Sequence, residues 1–169
     1  YENCPTDEQH ELFKLPDFVN KMMENKWLGS KTGQGFYKKE GKEILSLDLD
    51  TLEYRAAKRA SFATLELTKT IDKPINRFKV LVKGKDKAGE FYRKSFAGMF
   101  AYVSNRIPEI SDELYKIDDA MKDGFGWENG PFEIWDAIVV EKGIEIMQAE
   151  GLAPAAWVTE MIAAGNTSF

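Results

Sequence analysis

The feature that most constrains this chain is the stretch 87–106. Phe91, Tyr92, Phe96, Met99, Phe100, Val103 and, just beyond, Ile107 recur there at intervals of three and four. That spacing places the apolar side chains on one face of a helix with 3.6 residues per turn. Ala97, Gly98 and Ala101 are small and would let a neighbouring helix approach closely. Pro108 lacks the N–H a helix interior needs, so it should kink or end the element, with a further helix over 111–116 beyond it.

Shorter helical patterns flank this one. Residues 6–9 have the Thr-x-x-Gln spacing of a capping box and predict a short helix. Pro16 suits a first helical turn; Phe18, Met22 and Met23 follow on one face, with Gly29 as the expected stop. Residues 27–37 hold three glycines in seven residues and predict a shaped turn, and the polar residues 38–43 read as a connector. Asp50 to Glu53 again has capping spacing, and Tyr54, Ala57, Ser61, Phe62, Leu65 and Thr68 fit one helical face that Pro74 closes. Residues 78–82 predict a short helix or an irregular link. Asp118 is expected to cap a helix stopping at Gly124. Pro131 begins another, in which Phe132, Trp135 and Ile138 form a bulky edge. Val140, Ile144 and Met147 mark one ending at Gly151, and the last covers about 154–164. No stretch alternates with period 2, so the expected class is all-α.

The ends of the chain resemble each other. Residues 16–23 match 154–162 with a one-residue slip, and each is followed by a polar stretch leading to an aromatic, Phe36 or Phe169. A repeat of about 130 residues would account for this.

Composition narrows the function classes. The chain has 169 residues, a net charge of −5 with both signs interspersed, and one cysteine. An acidic, mixed surface argues against nucleic acid as a partner. A lone cysteine leaves no internal disulfide framework and fits a reducing, cytoplasmic compartment. No segment reads as a membrane span or a signal peptide. The first residue is tyrosine, and both ends read as cuts in a longer polypeptide.

The chemistry-bearing residues are few. Gly33-Gln34-Gly35 follows no strand and lacks the third glycine of a dinucleotide fingerprint, so it reads as a turn packing Trp27 and Phe36. His10 reads as a surface residue that adjacent Glu11 cannot orient. Cys4 reads as inert, and no His/Cys spacing predicts a metal site. The acidic group Glu109, Asp112, Glu113, Asp118 and Asp119 reads as caps and a solvated face. Asn105 and Arg106 differ: polar residues at the end of the most apolar helix either pin the kink or face a ligand.

Three motifs, in order, carry a family resemblance. Leu28-Gly29-Ser30-Lys31-Thr32-Gly33-Gln34-Gly35-Phe36-Tyr37 resembles the LGxKTGxGFY signature that closes the C-terminal domain of 3-hydroxyacyl-CoA dehydrogenases. Ser104-Asn105-Arg106-Ile107-Pro108 resembles that domain's opening helix. Asp118-Asp119-Ala120-Met121, followed by Gly124-Phe125-Gly126-Trp127-Glu128-Asn129-Gly130-Pro131-Phe132-Glu133 and Asp136, resembles its DxAM…GPFExxD signature. The resemblance implies a helical domain like the C-terminal domain of 6-phosphogluconate dehydrogenase, occurring twice in a fused fatty-acid β-oxidation protein. Residues 1–37 would end the first copy, 38–47 would connect, and 48–169 would be the second copy, truncated.

For the parent, the resemblance implies oxidation of 3-hydroxyacyl-CoA to 3-ketoacyl-CoA with NAD. The parent would have an upstream nucleotide-binding domain and, in some cases, an enoyl-CoA hydratase domain. The family's catalytic His–Glu pair would lie outside this chain, so no residue here is expected to be catalytic and no NAD is expected on the fragment. Asn105 matches an active-site Asn position, but in the copy that serves as scaffold. Asn105 and Arg106 are therefore substrate-side or structural candidates. Trp127, Gly130, Pro131, Phe132, Trp135 and Asp136 are interface or packing candidates. The family usually has Gly where this chain has Val139. A stand-alone helical interaction module, binding through an edge at Trp127, Phe132 and Trp135, is the alternative.

Overall fold

The computed structural model describes residues 2–169, and the chain divides into two compact units, Tyr1–Ala60 and Ser61–Phe169. It is mostly helical, as the sequence predicts, with one small sheet that the all-α reading lacks.

In the first unit, the expected capping box does not form. Asp7 Oδ1 accepts the Gln9 N–H at 2.7 Å, and only a 3-10 turn, His10–Phe13, follows. The helix α1 spans Asp17–Glu24, with Pro16 at its N-cap. It stops earlier than Gly29, because Lys26 takes a left-handed φ of 58° and the Trp27 N–H turns back to the Met22 carbonyl at 2.8 Å. This is a Schellman-type ending on a non-glycine residue. The glycine-rich turn then folds around a 3-10 turn, Ser30–Thr32. Gly35 has to be glycine, since a Cβ there would sit 2.8 Å from the Gly29 Cα.

The residues expected as a connector form two strands, β1 (Tyr37–Glu40) and β2 (Glu43–Leu47), joined through Gly41 at φ +62°. A third, β3 (Tyr54–Ala56), pairs antiparallel with β2, Leu47 opposite Tyr54. The helix expected from Tyr54 onward therefore begins only at Ala63. The sheet left no period-2 signal because it buries little: Leu47 is 6% exposed, but Ile44 is 62% exposed and charges line β1.

The second unit holds α2 (Ala63–Thr68), α3 (Pro74–Leu81), α4 (Lys87–Asn105), α5 (Leu114–Phe125), α6 (Pro131–Ile138), α7 (Val140–Ala149) and α8 (Ala156–Ala163). Pro74 does not close a region; it opens α3. Asp86 starts α4 by accepting the Gly89 N–H at 3.1 Å, and also takes the Thr64 N–H at 2.9 Å, tying α2 to α4. Those bonds hold its carboxyl below the usual range. Phe96, Ala97, Phe100 and Ala101 of α4 are buried, and Phe100 stacks on Trp135 at 4.7 Å. Burying a phenylalanine such as Phe100 stabilises the unit by about 1.5–3 kcal/mol. Phe91 is 64% exposed, and Gly98 faces open space, so both lie off the packed stripe.

The helices at the two ends, α1 and α8, share several backbone features. Both α1 and α8 have eight residues. The N–H of Val19 bonds to Pro16 and that of Val158 to Ala155. Lys26 and Gly165 follow with positive φ, 58° and 90°. Trp27 N–H then reaches Met22 O, as Asn166 N–H reaches Met161 O.

Candidate functional site

Two features of the second unit concentrate its polar residues. The first is a clamp at the start of α6. Asp118 was expected to cap its own helix; instead α5 runs through it, from Leu114 to Gly126 at φ +68°, not stopping at Gly124. The Asp118 carboxylate is buried and caps α6, accepting the N–H of Phe132 at 2.8 Å and of Glu133 at 3.0 Å. Burial raises its pKa, against the opposing pull of those two N–H donors. Gly130 is in contact with it, so any Cβ at 130 would lie 2.3–2.4 Å from Asp118 atoms. Glu133 Oε2 accepts the Gly130 N–H at 2.9 Å, and Glu133 Oε1 pairs with Lys122 at 2.8 Å. The lysine holds the Glu133 carboxyl below its usual range. Pro131 sits in the first turn, where no N–H is required. Asp118, Gly130, Pro131 and Glu133 thus form one interlocked corner, and the short motif that contains them is the sequence of that corner.

Phe132 and Trp135, 2% and 0% exposed, lie in the core. Trp135 Nε1 donates to the Val140 carbonyl at 3.0 Å. Asp136 accepts the Phe169 N–H at 3.0 Å, and burial raises its pKa. Phe169 in turn packs on Phe132 and Trp135, at 5.0 Å from each ring, and on Trp157 at 5.8 Å. The apolar edge expected at Trp127, Phe132 and Trp135 is therefore corrected: only Trp127, 39% exposed, remains at the surface.

The second feature is a cleft of about 550 Å³ between the end of α4, α5 and the start of α6. Met99, Val103, Ile117, Met121, Trp127 and Pro131 give it apolar walls, and Arg106 and Lys116 are its cations. Arg106 lies over the Tyr102 ring at 4.6 Å and pairs with Glu109 at 2.9 Å. Lys116 pairs with Glu113 at 2.6 Å. The volume falls within the ordinary range of small-molecule sites. Asn105, half-buried, is not among the lining residues. The pair singled out in the sequence therefore splits, with Arg106 on the cleft and Asn105 off it.

Sequence reasoning missed Ser104. It is fully buried, its Oγ bonds the Ala101 carbonyl at 2.8 Å and the Ala155 N–H at 2.9 Å, and its carbonyl accepts Trp157 Nε1 at 2.9 Å. A serine on the small-residue side of an apolar helix was the available signal. His10 is half-buried, not on the surface as expected, with Nδ1 3.1 Å from the Cys4 carbonyl. Cys4 is exposed. No group of three or more metal-ligating side chains occurs among the described residues.

Val139, between α6 and α7, has φ 85° and ψ 127°. A β-branched residue rarely adopts that backbone, and glycine adopts it freely. The valine thus sits in the conformation that the glycine expected at this place would favour.

The chain is similar along all 169 residues, at 40% identity, to a probable 3-hydroxyacyl-CoA dehydrogenase of Bacillus subtilis (strain 168), of which it spans 21%. It is 26% identical over 132 residues to a putative fatty acid oxidation complex trifunctional enzyme of Rickettsia felis, matching 76% of this chain and 17% of that protein. A protein of the same description in Rickettsia prowazekii is 25% identical over 142 residues, 82% of this chain and 18% of its own length. The chain thus spans about a fifth of the length of these curated relatives. No family model matches it, and no solved structure does.

Proposed function

Because this chain is homologous along its whole length to part of a 3-hydroxyacyl-CoA dehydrogenase, we propose that it is the helical C-terminal part of such an enzyme, acting in fatty-acid β-oxidation. The parent oxidises 3-hydroxyacyl-CoA to 3-ketoacyl-CoA with NAD, in the cytoplasm, and joins this region to a nucleotide-binding domain and, in a trifunctional arrangement, to a hydratase domain. The observation that carries the reading is the α5–α6 corner. The DxAM…GPFExxD pattern, met in the sequence as a signature, has a physical counterpart in the Asp118–Gly130–Glu133 clamp and the Asp136–Phe169 tie.

The residues present do not fit NAD. The Gly33-Gln34-Gly35 turn leads into the antiparallel strand β1, where a dinucleotide site needs a parallel strand followed by a helix N-terminus. No step of hydride transfer is assigned to this chain. Its part is to shape an interface and the substrate side of the enzyme, with Arg106 and the cleft beside it as the substrate-side surface. Residues 1–37 end one helical repeat and 48–169 form the next; the matched helices and endings of α1 and α8 support that division.

Absorbance of NADH during acetoacetyl-CoA reduction tests the reading. The longest polypeptide its gene encodes turns over, and the 169-residue chain does not. Turnover by the chain alone, or none by the longer polypeptide, overturns it.

A further inference from the structure

The two signs of charge alternate along most of the chain, but not at one place. Residues 73–87 hold six cations, Lys73, Arg77, Lys79, Lys83, Lys85 and Lys87, and one acid, Asp86, in a chain whose net charge is −5. The stretch covers α3, the turn after it and the first residue of α4. Lys73, Lys79, Lys83, Lys85 and Lys87 are exposed, and none of the five forms a salt bridge among the described residues. The flanking Lys69 and Lys94 do, with Glu66 at 2.6 Å and Glu90 at 2.7 Å.

The other charged groups of this corner are used to build it. Arg77 is half-buried, and its Nε donates to the Ile71 carbonyl at 2.6 Å. Asp86 accepts the N–H groups of Thr64 and Gly89. Arg93 Nη1 donates to the Val82 carbonyl at 3.0 Å and to the Gly84 carbonyl. Gly89 packs so closely on the turn that a Cβ there would stand 2.2 Å from the Gly84 oxygen. The backbone between α3 and α4 is thereby fixed, and the lysines stand on it without acids of their own. Phe91 lies four residues after Lys87 on α4, so the two share a face, and Phe91 is 64% exposed.

We infer that the α3–α4 corner is a contact surface for an anionic lipid bilayer. The lysine ammonium groups meet the headgroup phosphates, and Phe91 enters the headgroup boundary beside them. Charge complementarity selects this partner. A phosphate held in a fixed site, or a base edge, suits the planar fork of arginine. Here Arg77 and Arg93 are both bonded to backbone carbonyls. Lysine is a flexible point charge, and a cluster of lysines beside an exposed aromatic suits a plane of many mobile charges. The rest of the chain is acidic and is repelled by the same bilayer, which turns this corner toward it. None of the five lysines lines the cleft beside Arg106, so the surface is separate from that cleft and does not depend on the dehydrogenase reading.

Co-sedimentation with vesicles tests this, using the longest polypeptide the gene encodes at low ionic strength. It is expected to bind vesicles of equal parts phosphatidylglycerol and phosphatidylcholine, to bind phosphatidylcholine alone on the order of 100-fold more weakly, and to be released by salt. Changing Lys79, Lys83, Lys85 and Lys87 together to Gln should weaken binding to the anionic vesicles on the order of 100-fold. Lys38→Gln with Lys39→Gln, in β1, should leave it unchanged. Phe91→Trp locates the contact directly: its emission, taken as the difference from the unsubstituted protein, should shift to the blue on the anionic vesicles. No binding to those vesicles overturns the inference, as do equal binding to the neutral ones, equal losses in the two lysine variants, or no shift for Phe91→Trp. Binding of double-stranded DNA or inorganic triphosphate at these lysines without vesicle binding also overturns it, since the partner is then a different anion.

Discussion

Helices α1 and α8 have the same length, comparable starts and the same left-handed ending, and each buries one side chain, but at different places: Met22 in α1 and Val158 in α8. Val158 has no exposed surface where the matched Val19 is half-buried, and Met22 is buried where the matched Met161 is half-buried. The shared part is local: an extended residue before the helix, eight residues of helix, then a positive-φ residue that lets a backward N–H bond close the last turn. The part that differs is tertiary. Ser104 and Phe132 hold the start of α8 through Ala155 and Trp157, whereas the ring contact of α1 is Phe18 on Phe36. Similar local sequence can therefore fix a helix without fixing which of its side chains is buried.

Several substitutions sharpen this contrast. Trp157→Ala, which also leaves the buried Ser104 carbonyl without its indole donor, should cost about 3–5 kcal/mol, and Phe18→Ala, half-buried against Phe36, should cost less. Denaturant unfolding of the two variants checks this, and equal losses would break the comparison. Gly130→Ala should cost about 1–3 kcal/mol, because the new methyl meets Asp118 on buried backbone. Calorimetry should show a lower Tm for that variant and no comparable change for Gly98→Ala, where the added methyl meets open space.

Smaller effects concern backbone strain. Val139→Gly should stabilise the second unit by about 1 kcal/mol, since it relieves a positive φ on a β-branched residue. The two helix endings provide a paired control. Lys26→Gly should gain about 0.5 kcal/mol and Gly165→Ala should lose about 1 kcal/mol. Opposite signs at equivalent positions are expected, and matching signs would refute the equivalence.

The smallest effect is on pH dependence. Burial raises the pKa of both Asp118 and Asp136 above the ordinary 3.8. The folded state then holds protons that the unfolded state has released. The resulting stability is present below about pH 3.8 and declines as pH rises through the folded pKa values. Glu133, lowered by Lys122, acts oppositely: its contribution is present above its ordinary 4.5 and is lost as pH falls through the folded value. Asp136→Asn should flatten the decline above pH 3.8, and carboxyl NMR titration should place Asp118 and Asp136 above their ordinary 3.8 and Glu133 below its ordinary 4.5.

The long helix was legible because Phe96, Phe100 and the small Ala97 and Ala101 repeat at the helical period. Pro16, Pro74 and Pro131 each mark a first turn or the residue before one, although Pro74 was read as an ending. The sheet was not legible, because β1 is charged on both faces, β2 is only five residues long, and their pairing is made by backbone groups. Asp118 was read as a cap, which it is, but for another helix. An aspartate beside its own helix start and one that accepts an N–H from the first turn of a later helix, as Asp118 does from Phe132, give the same local signal. Arg106 was separated from Asn105 only by the direction each side chain takes at the end of α4.

The amino-acid sequence by itself determined where most of the helices run, the shaped turn at 27–37 and the kinship that the relatives bear out. Those follow from periodicity, proline and glycine geometry and motif order, which act over a few residues. Only the tertiary structure decided which apolar residues are covered, that Asp118 bonds to α6, and that Val139 is held in a backbone conformation suited to glycine. Each of these depends on groups far apart in the chain being brought within hydrogen-bond or van der Waals distance, and local sequence does not encode such distances.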